Sequence, residues 1–190
     1  MKYKILAIIG ESGSGKDSIL KLFDDNPHSQ INRIVSSTTR PPREGEIDGV
    51  NYHFLDHDDF ISLMEEEKIV EMSVFKDWCY GTCFEDLRSG DIINIGVFDP
   101  TRVETLANSL YIDLKIVLIE ATDKERLLRQ LTRENDPDVE EIIRRFKTDK
   151  EDFKYIKTLY DVIKIPNHDG DLNKAYQKIL NIVNNWDKVD

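Results

Sequence analysis

The sequence predicts an α/β fold of three layers, with a parallel central sheet, helices on both of its faces and two excursions from it. Three observations predict this. Short apolar runs alternate with segments whose apolar residues recur at helical spacing, and that alternation builds parallel sheets covered by crossover helices. A glycine-rich loop joins the first apolar run to the first helical segment. Two polar, turn-rich stretches, in residues 36–85 and 132–145, interrupt the pattern without the composition of a linker. A chain of 190 residues with 39% apolar content can bury one sizeable core. One domain is therefore expected over 1–190, with its core in 1–35, 86–131 and 146–190.

The first strand reads Ile5-Leu6-Ala7-Ile8-Ile9, and the first helix carries Ile19, Leu20, Leu22 and Phe23. Between them lies Gly10-Glu11-Ser12-Gly13-Ser14-Gly15-Lys16-Asp17. Three glycines let the backbone bend inward with no Cβ in the way, so successive N–H groups can point at one anion while the helix start adds partial positive charge. This is the phosphate loop of a P-loop NTPase fold, a cradle for ATP with Lys16 reaching the outer phosphates. The pattern places Ser or Thr after the lysine to hold Mg²⁺, but here that position is Asp17, with Ser18 next. Asp17 either serves the metal as a hard carboxylate ligand or complements the helix N-terminus.

Lys and Arg number 26 against 37 Asp and Glu, a formal net charge of −11. That charge repels nucleic-acid backbones and anionic membranes at long range, so neither is an expected partner. Met1-Lys2-Tyr3-Lys4 leads straight into the first strand, with no signal peptide and no apolar stretch near the ~18 residues of a membrane span. A cytoplasmic protein is expected. Cys79 and Cys83 read as two reduced thiols, and the four histidines form no motif.

Past Pro27, residues 31–35 read as a short second strand that ends in the polar run Ser36-Ser37-Thr38-Thr39. Arg40-Pro41-Pro42-Arg43-Glu44-Gly45 opens a stiff, exposed excursion. Arg40 and Arg43, three apart, can converge on one phosphate as bidentate forks, or else be solvated surface charges. Tyr52 and Phe54 alternate, Asp56 caps a helix carrying Phe60, Leu63 and Met64, and 69–75 is a strand that turns at Lys76-Asp77 into 78–82.

These residues resemble the guanylate kinase family. Residues 36–54 match its monophosphate-binding segment almost letter for letter, and Glu71, Tyr80, Gly81 and Thr82 fall where its pattern has them. The resemblance implies that Arg40, Arg43, Tyr52 and Tyr80 grip the monophosphate. It also implies that Ser36 and Thr82 meet the guanine edge and that Glu71 accepts its N1–H and N2–H donors. The chemistry agrees: an ionised carboxylate only accepts, and adenine lacks that donor pair. The alternatives are sheet packing for the tyrosines and an exposed strand charge for Glu71.

Residues 92–99 form an apolar strand ending in Asp99, one residue later than the family's acids. Asp99 serves the metal or the guanine, or else caps the helix that Pro100 and Thr101 open. Residues 114–119 are the next buried strand, and Thr122 or Asp123 caps a helix through Leu127, Leu128 and Leu131. Residues 132–145 correspond to a shortened lid, whose Arg133 and Arg145 are implied to stabilise charge on the moving phosphoryl group, with Arg129 and Arg144 as alternates. Residues 162–165, the turn at Asn167 and a closing amphipathic helix complete the chain. Asn167 either borders the adenine or shapes the turn.

The resemblance implies ATP-dependent, Mg²⁺-assisted phosphorylation of GMP or dGMP by in-line transfer, part of purine nucleotide metabolism, in a monomer or homodimer. Two other readings are a kinase for another nucleoside monophosphate, suggested by Asp17 and the altered strand before Asp99, and a non-catalytic binding module, which the intact Lys16 disfavours.

Overall fold

A computed structural model of the chain describes residues 2–43, 45–133 and 135–188. Glu44 of the proline-rich stretch and Glu134 of the expected lid, like Met1, Val189 and Asp190, lie outside the described residues. In chain order the elements are β1 (Tyr3–Ile9), α1 (Lys16–Asp25), β2 (Ile31–Arg33), β3 (Ser37–Thr38), β4 (His53–Phe54), α2 (His57–Glu65), β5 (Ile69–Phe75) and β6 (Trp78–Cys83). They continue with β7 (Ile93–Val97), α3 (Pro100–Ala107), β8 (Ile112–Glu120), α4 (Asp123–Leu131), α5 (Val139–Leu159), β9 (Val162–Pro166) and α6 (Leu172–Asn184). A five-stranded sheet has the order β2-β7-β1-β8-β9, and a four-stranded sheet the order β4-β3-β6-β5. The chain divides into two compact units, one of residues 1–6 and 29–114, the other of 7–28 and 115–190. The stretch 36–85 falls in the first and 132–145 in the second.

In the first unit β2 runs parallel to β7, with Ile31 opposite Ile93 and Arg33 opposite Ile95. Ile93 and Ile95, with Val103 and Leu106 of α3, are buried. Asp56 caps α2 as its position predicts, its carboxylate accepting from the Asp59 N–H at 2.8 Å, and the helix buries Phe60. The strand expected at 31–35 ends at Arg33, and the polar run after it holds β3. Ser37 and Thr38 pair antiparallel with Gly81 and Tyr80 of β6 and parallel with His53 and Phe54 of β4. A two-residue strand has too little length for an apolar alternation, so its partners define it.

In the second unit β8 and β9 are parallel, from Ile116 opposite Val162 to Glu120 opposite Pro166. Phe23 of α1 packs on Tyr176 of α6 with ring centroids 4.6 Å apart. Thr122 starts α4 with a capping box: its side chain accepts from the Glu125 N–H, and Glu125 reaches back to the Thr122 N–H at 2.8 Å. Leu128 and Leu131 of α4 are exposed, and its buried side chain is Arg126. A buried cation is tolerated there because carboxylates surround it, as described below. No helix among the described residues is long and apolar enough to cross a membrane.

The α4 cap makes a pH prediction. Hydrogen bonds from the Thr122 hydroxyl, His168 and the Thr122 N–H hold the Glu125 carboxyl down to about 2. A depressed carboxyl stabilises the fold above its unfolded value, here 4.5, and loses that contribution as the pH falls through its folded value. The acid arm of the Tm–pH curve should therefore be shallower in Glu125→Gln than in wild type. Superimposable acid arms would show that the cap has no part in acid unfolding.

Candidate functional site

The glycine loop belongs to the second unit. Its apolar strand ends at Ile9 and α1 begins at Lys16, so the first N–H groups of α1 lack intrahelical partners. Gly15 is the N-cap, left-handed at φ 93°, and no side chain caps the helix. Gly13 is also left-handed, at φ 81°, and a Cβ there would stand 2.5 Å from the Arg126 carbonyl oxygen. A Cβ on Gly15 would collide with the Asn167 amide. The loop is thus held against its neighbours as closely as a backbone without side chains permits. The Ser14 Oγ is buried with no hydrogen-bond partner among the described residues, and Lys16 is half-buried with no side-chain partner among them. An open helix N-terminus, an unpaired hydroxyl and an unpaired ammonium suit a polyphosphate.

Below the loop lies a cluster the sequence reading missed. Arg126, fully buried, pairs with Glu11, donates from Nε to the Ser12 carbonyl at 3.0 Å and lies 3.5 Å from the Asp149 carboxylate. Its guanidinium rests 4.7 Å from the centre of the Phe146 ring. Asp149 in turn accepts from the Ser12 N–H at 2.5 Å. A signal was present: Glu11 puts an anion in a loop meant for anions, and such a residue needs a cation of its own.

Arg129 is the second cation on the loop, donating to the Gly13 and Ser14 carbonyls at 3.3 Å and to the Asn167 carbonyl at 2.9 Å. Asn167 is buried and donates from Nδ2 to the Ser14 carbonyl at 2.8 Å, so it braces the loop from the turn after β9. The expected lid arginines differ from each other. Arg133 is exposed just past α4. Arg145 donates to Glu141 at 2.8 Å, and Arg144 forks onto the same carboxylate at 2.7 and 2.9 Å. The Arg144 hydrogen bond, with that of Arg145, holds the Glu141 carboxyl well below the ordinary range against the effect of burial.

A divalent ion finds few ligands. No group of three His, Cys, Asp or Glu among the described residues could hold one. Asp17 is exposed on the first turn of α1 with no partner among them. That arrangement fits Mg²⁺, which takes one or two carboxylates and completes its shell with water and substrate phosphates. Asp99 is the N-cap of α3: one carboxylate oxygen accepts from the Arg102 N–H at 3.0 Å and the other from the Ser73 hydroxyl at 2.6 Å. Of its two readings, this geometry is that of the cap.

In the first unit, the three residues expected at a guanine edge come together. Ser36 precedes β3, Glu71 is on β5, Thr82 is on β6, and all are buried. Register places them: Glu71 stands opposite Thr82 across the β5–β6 ladder. What they surround was not foreseen. Arg102, from the first turn of α3, donates from Nε to one Glu71 oxygen at 2.5 Å and from Nη2 to the other at 2.7 Å. The same Nη2 lies 2.9 Å from the Ser36 Oγ and 3.0 Å from the Thr82 Oγ1. Burial works against charge on Arg102, and Glu71 more than restores it, so its pKa is raised. Helical spacing was the available signal, since Arg102 adjoins Val103 and lies four residues before Leu106 on the buried face.

The expected phosphate clamp is assembled in part. Arg40 is buried, 5.6 Å from the centre of the Tyr52 ring, and Tyr52 meets Tyr80 edge-on at 6.1 Å. Arg40 Nη2 lies 2.9 Å from both Glu46 oxygens, and its Nη1 donates to the Pro41 carbonyl at 2.7 Å. Burial raises the Glu46 carboxyl, but the Arg43 N–H and the Arg40 guanidinium bring it below its usual value. Arg43 is exposed, and its charge adds to the pull on the Glu46 carboxyl.

Comparison with known proteins bears on both units. A family model described as Guanylate kinase matches residues 2–186. The chain is 32% identical over 195 residues to the guanylate kinase of Malacoplasma penetrans, covering 99% of this chain and 95% of that one. It is 29% identical over 186 residues to that of Caldanaerobacter subterraneus subsp. tengcongensis, covering 94% and 85%. The crystal structure of guanylate kinase from Anaplasma phagocytophilum superposes with a TM-score of 0.70 at 18% identity, over 100% of this chain and 89% of that one. The last likeness speaks for the fold.

Proposed function

Because the chain belongs to the guanylate kinase family, we propose that it transfers the terminal phosphoryl group of ATP to GMP, and to dGMP as well. The observation that carries the guanine assignment is the meeting of Ser36, Glu71 and Thr82 around one buried donor fork. The carboxylate accepts two adjacent N–H groups, and the two hydroxyls that flank it can donate to a carbonyl oxygen beside them, which is the edge guanine presents. Adenine offers neither the donor pair nor the carbonyl.

Phosphoryl transfer asks the protein for position and charge rather than covalent chemistry. The loop of Gly10, Glu11, Ser12, Gly13, Ser14 and Gly15 holds the donor's phosphates through its backbone, and Lys16 places its ammonium on the outer ones. Asp17 would hold Mg²⁺, which when bound would neutralise phosphate charge, with Ser18 beside it at the start of α1. Arg40, Arg43, Tyr52 and Tyr80 hold the acceptor phosphate; for Arg40 this means exchanging Glu46 for the incoming dianion. Arg133 and Arg145 add positive charge to the moving group, and for Arg145 this means leaving Glu141. The protein works in the cytoplasm.

A panel of ribo- and deoxynucleoside monophosphates with ATP tests the reading. GMP and dGMP should be the preferred acceptors, and preference for AMP, CMP or dTMP would overturn it. Glu71→Gln should raise the KM for GMP by about 10² or more, since a site built for a hydrogen-bonded edge loses most when that edge is unmatched. Arg43→Ala should raise the KM of every monophosphate tested by about tenfold. Equal, base-independent losses in both variants would contradict this division of labour.

A further inference from the structure

Arg102 occupies the place of the base. The N1–C2–N2 portion of guanine is itself a guanidine fragment, with two adjacent N–H donors diverging from nitrogens on one carbon. The Nε and Nη2 groups of Arg102 form the same fork, with one donor on each Glu71 oxygen. The hydroxyls of Ser36 and Thr82 close around it. The Arg102 side chain is 5% exposed and that of Glu71 0%. The carboxylate edge that guanine needs is therefore covered by a group that imitates guanine.

We propose that Arg102 is an internal competitor for the guanine site, a specificity-tuning residue that GMP must displace from Glu71 before its base can be read. The proposal rests on the guanine reading above. A bidentate fork uses the two oxygens side by side in the carboxylate plane, and a second fork cannot share that edge. Only a ligand with an equivalent donor pair restores what Glu71 loses when Arg102 leaves; a base with one donor or none leaves a buried carboxylate short of partners. The apparent affinity for GMP is the intrinsic affinity reduced by the fraction of molecules whose Glu71 is uncovered.

The groups around Arg102 come from several elements. Glu71 is on β5, Thr82 on β6, Ser36 before β3, and Phe98 after β7 lies beneath the guanidinium at 4.8 Å from ring centre. Asp99, the nearby cap, uses its carboxylate on the Arg102 main-chain N–H and on Ser73. The side chain of Arg102 is thus held by the base-reading residues themselves.

The test compares wild type with Arg102→Met, which keeps length and contact with Phe98 but removes the fork. Calorimetry with GMP should give a Kd at least about tenfold lower in the variant, and the gain should appear in the KM for GMP rather than in kcat. An unchanged or weaker Kd overturns the proposal, because Arg102 would then be a structural partner of Glu71 or a direct contact of the base. Should Arg102→Met fail to fold, nitrogen-15 NMR of the wild-type protein decides. The Arg102 Nε–H should be protected from exchange without ligand and lose that protection on saturation with GMP; retained protection overturns the proposal. The functional reading fails separately, in a wild type that phosphorylates another monophosphate and not GMP. A protein that phosphorylates GMP with Arg102 still on Glu71 overturns the competitor alone.

Discussion

Lys16→Met should reduce ATP-dependent GMP phosphorylation by about 10³-fold, the scale on which one removed charge-stabilising group slows transfer from a water-excluded site. The fold should not notice. Lys16 has no side-chain partner among the described residues, so its replacement removes no internal contact and Tm should move by no more than about 2 °C. The measurement is kcat/KM for GMP at saturating ATP beside a thermal melt. A variant within tenfold of wild-type activity would detach Lys16 from the chemistry, and a large loss of Tm would mean that the ammonium holds the loop together. Lys16→Arg is the useful companion, because a planar fork does not substitute for a compact ammonium.

The second large effect is on stability. Arg126→Met should lower the unfolding free energy by about 3–5 kcal/mol, because it strips the cation from Glu11 and Asp149 and leaves partly buried carboxylates behind. For a chain of this size that corresponds to a Tm drop of roughly 6–20 °C. The KM for ATP should rise with it, since the Ser12 carbonyl that Arg126 holds is part of the phosphate loop. Arg126→Lys keeps the charge without the fork and should recover part of the Tm but less of the ATP affinity. If Arg126→Met melts within about 2 °C of wild type, the cluster is not the brace its burial implies.

These two residues mark the limit of reading the chain as a string. The position of Lys16 was legible because it is local: a strand, three glycines and a helix start are adjacent in sequence and put the lysine at the first residue of α1. Asp56 as the cap of α2 and Thr122 as the cap of α4 were legible for the same reason. Ser36, Glu71 and Thr82 were legible through the spacing of a resemblance, and strand register then brings them together. Arg126 was not. The leucines Leu127, Leu128 and Leu131 mark α4 as a helix, but its buried side chain is Arg126, whose acceptor at Ser12 lies 114 residues away in the chain. Asp99 had two roles open on the sequence; it accepts from the Arg102 N–H three residues on and from Ser73 of β5, and the second of these bonds comes from the fold rather than from its neighbours in the chain.

Taken alone, the sequence determined the alternation of strands and helices and the glycine loop between β1 and α1, since each depends on neighbours along the chain. Only the tertiary structure decided which carboxylate each buried cation meets: Glu11 for Arg126, Glu46 for Arg40, and Glu71 for Arg102, 31 residues away. The reason is desolvation. For Arg126, Arg40 and Arg102, a charge withdrawn from water must find a partner where it is buried, and what buries it is the packing of distant elements, which spacing along one chain does not encode.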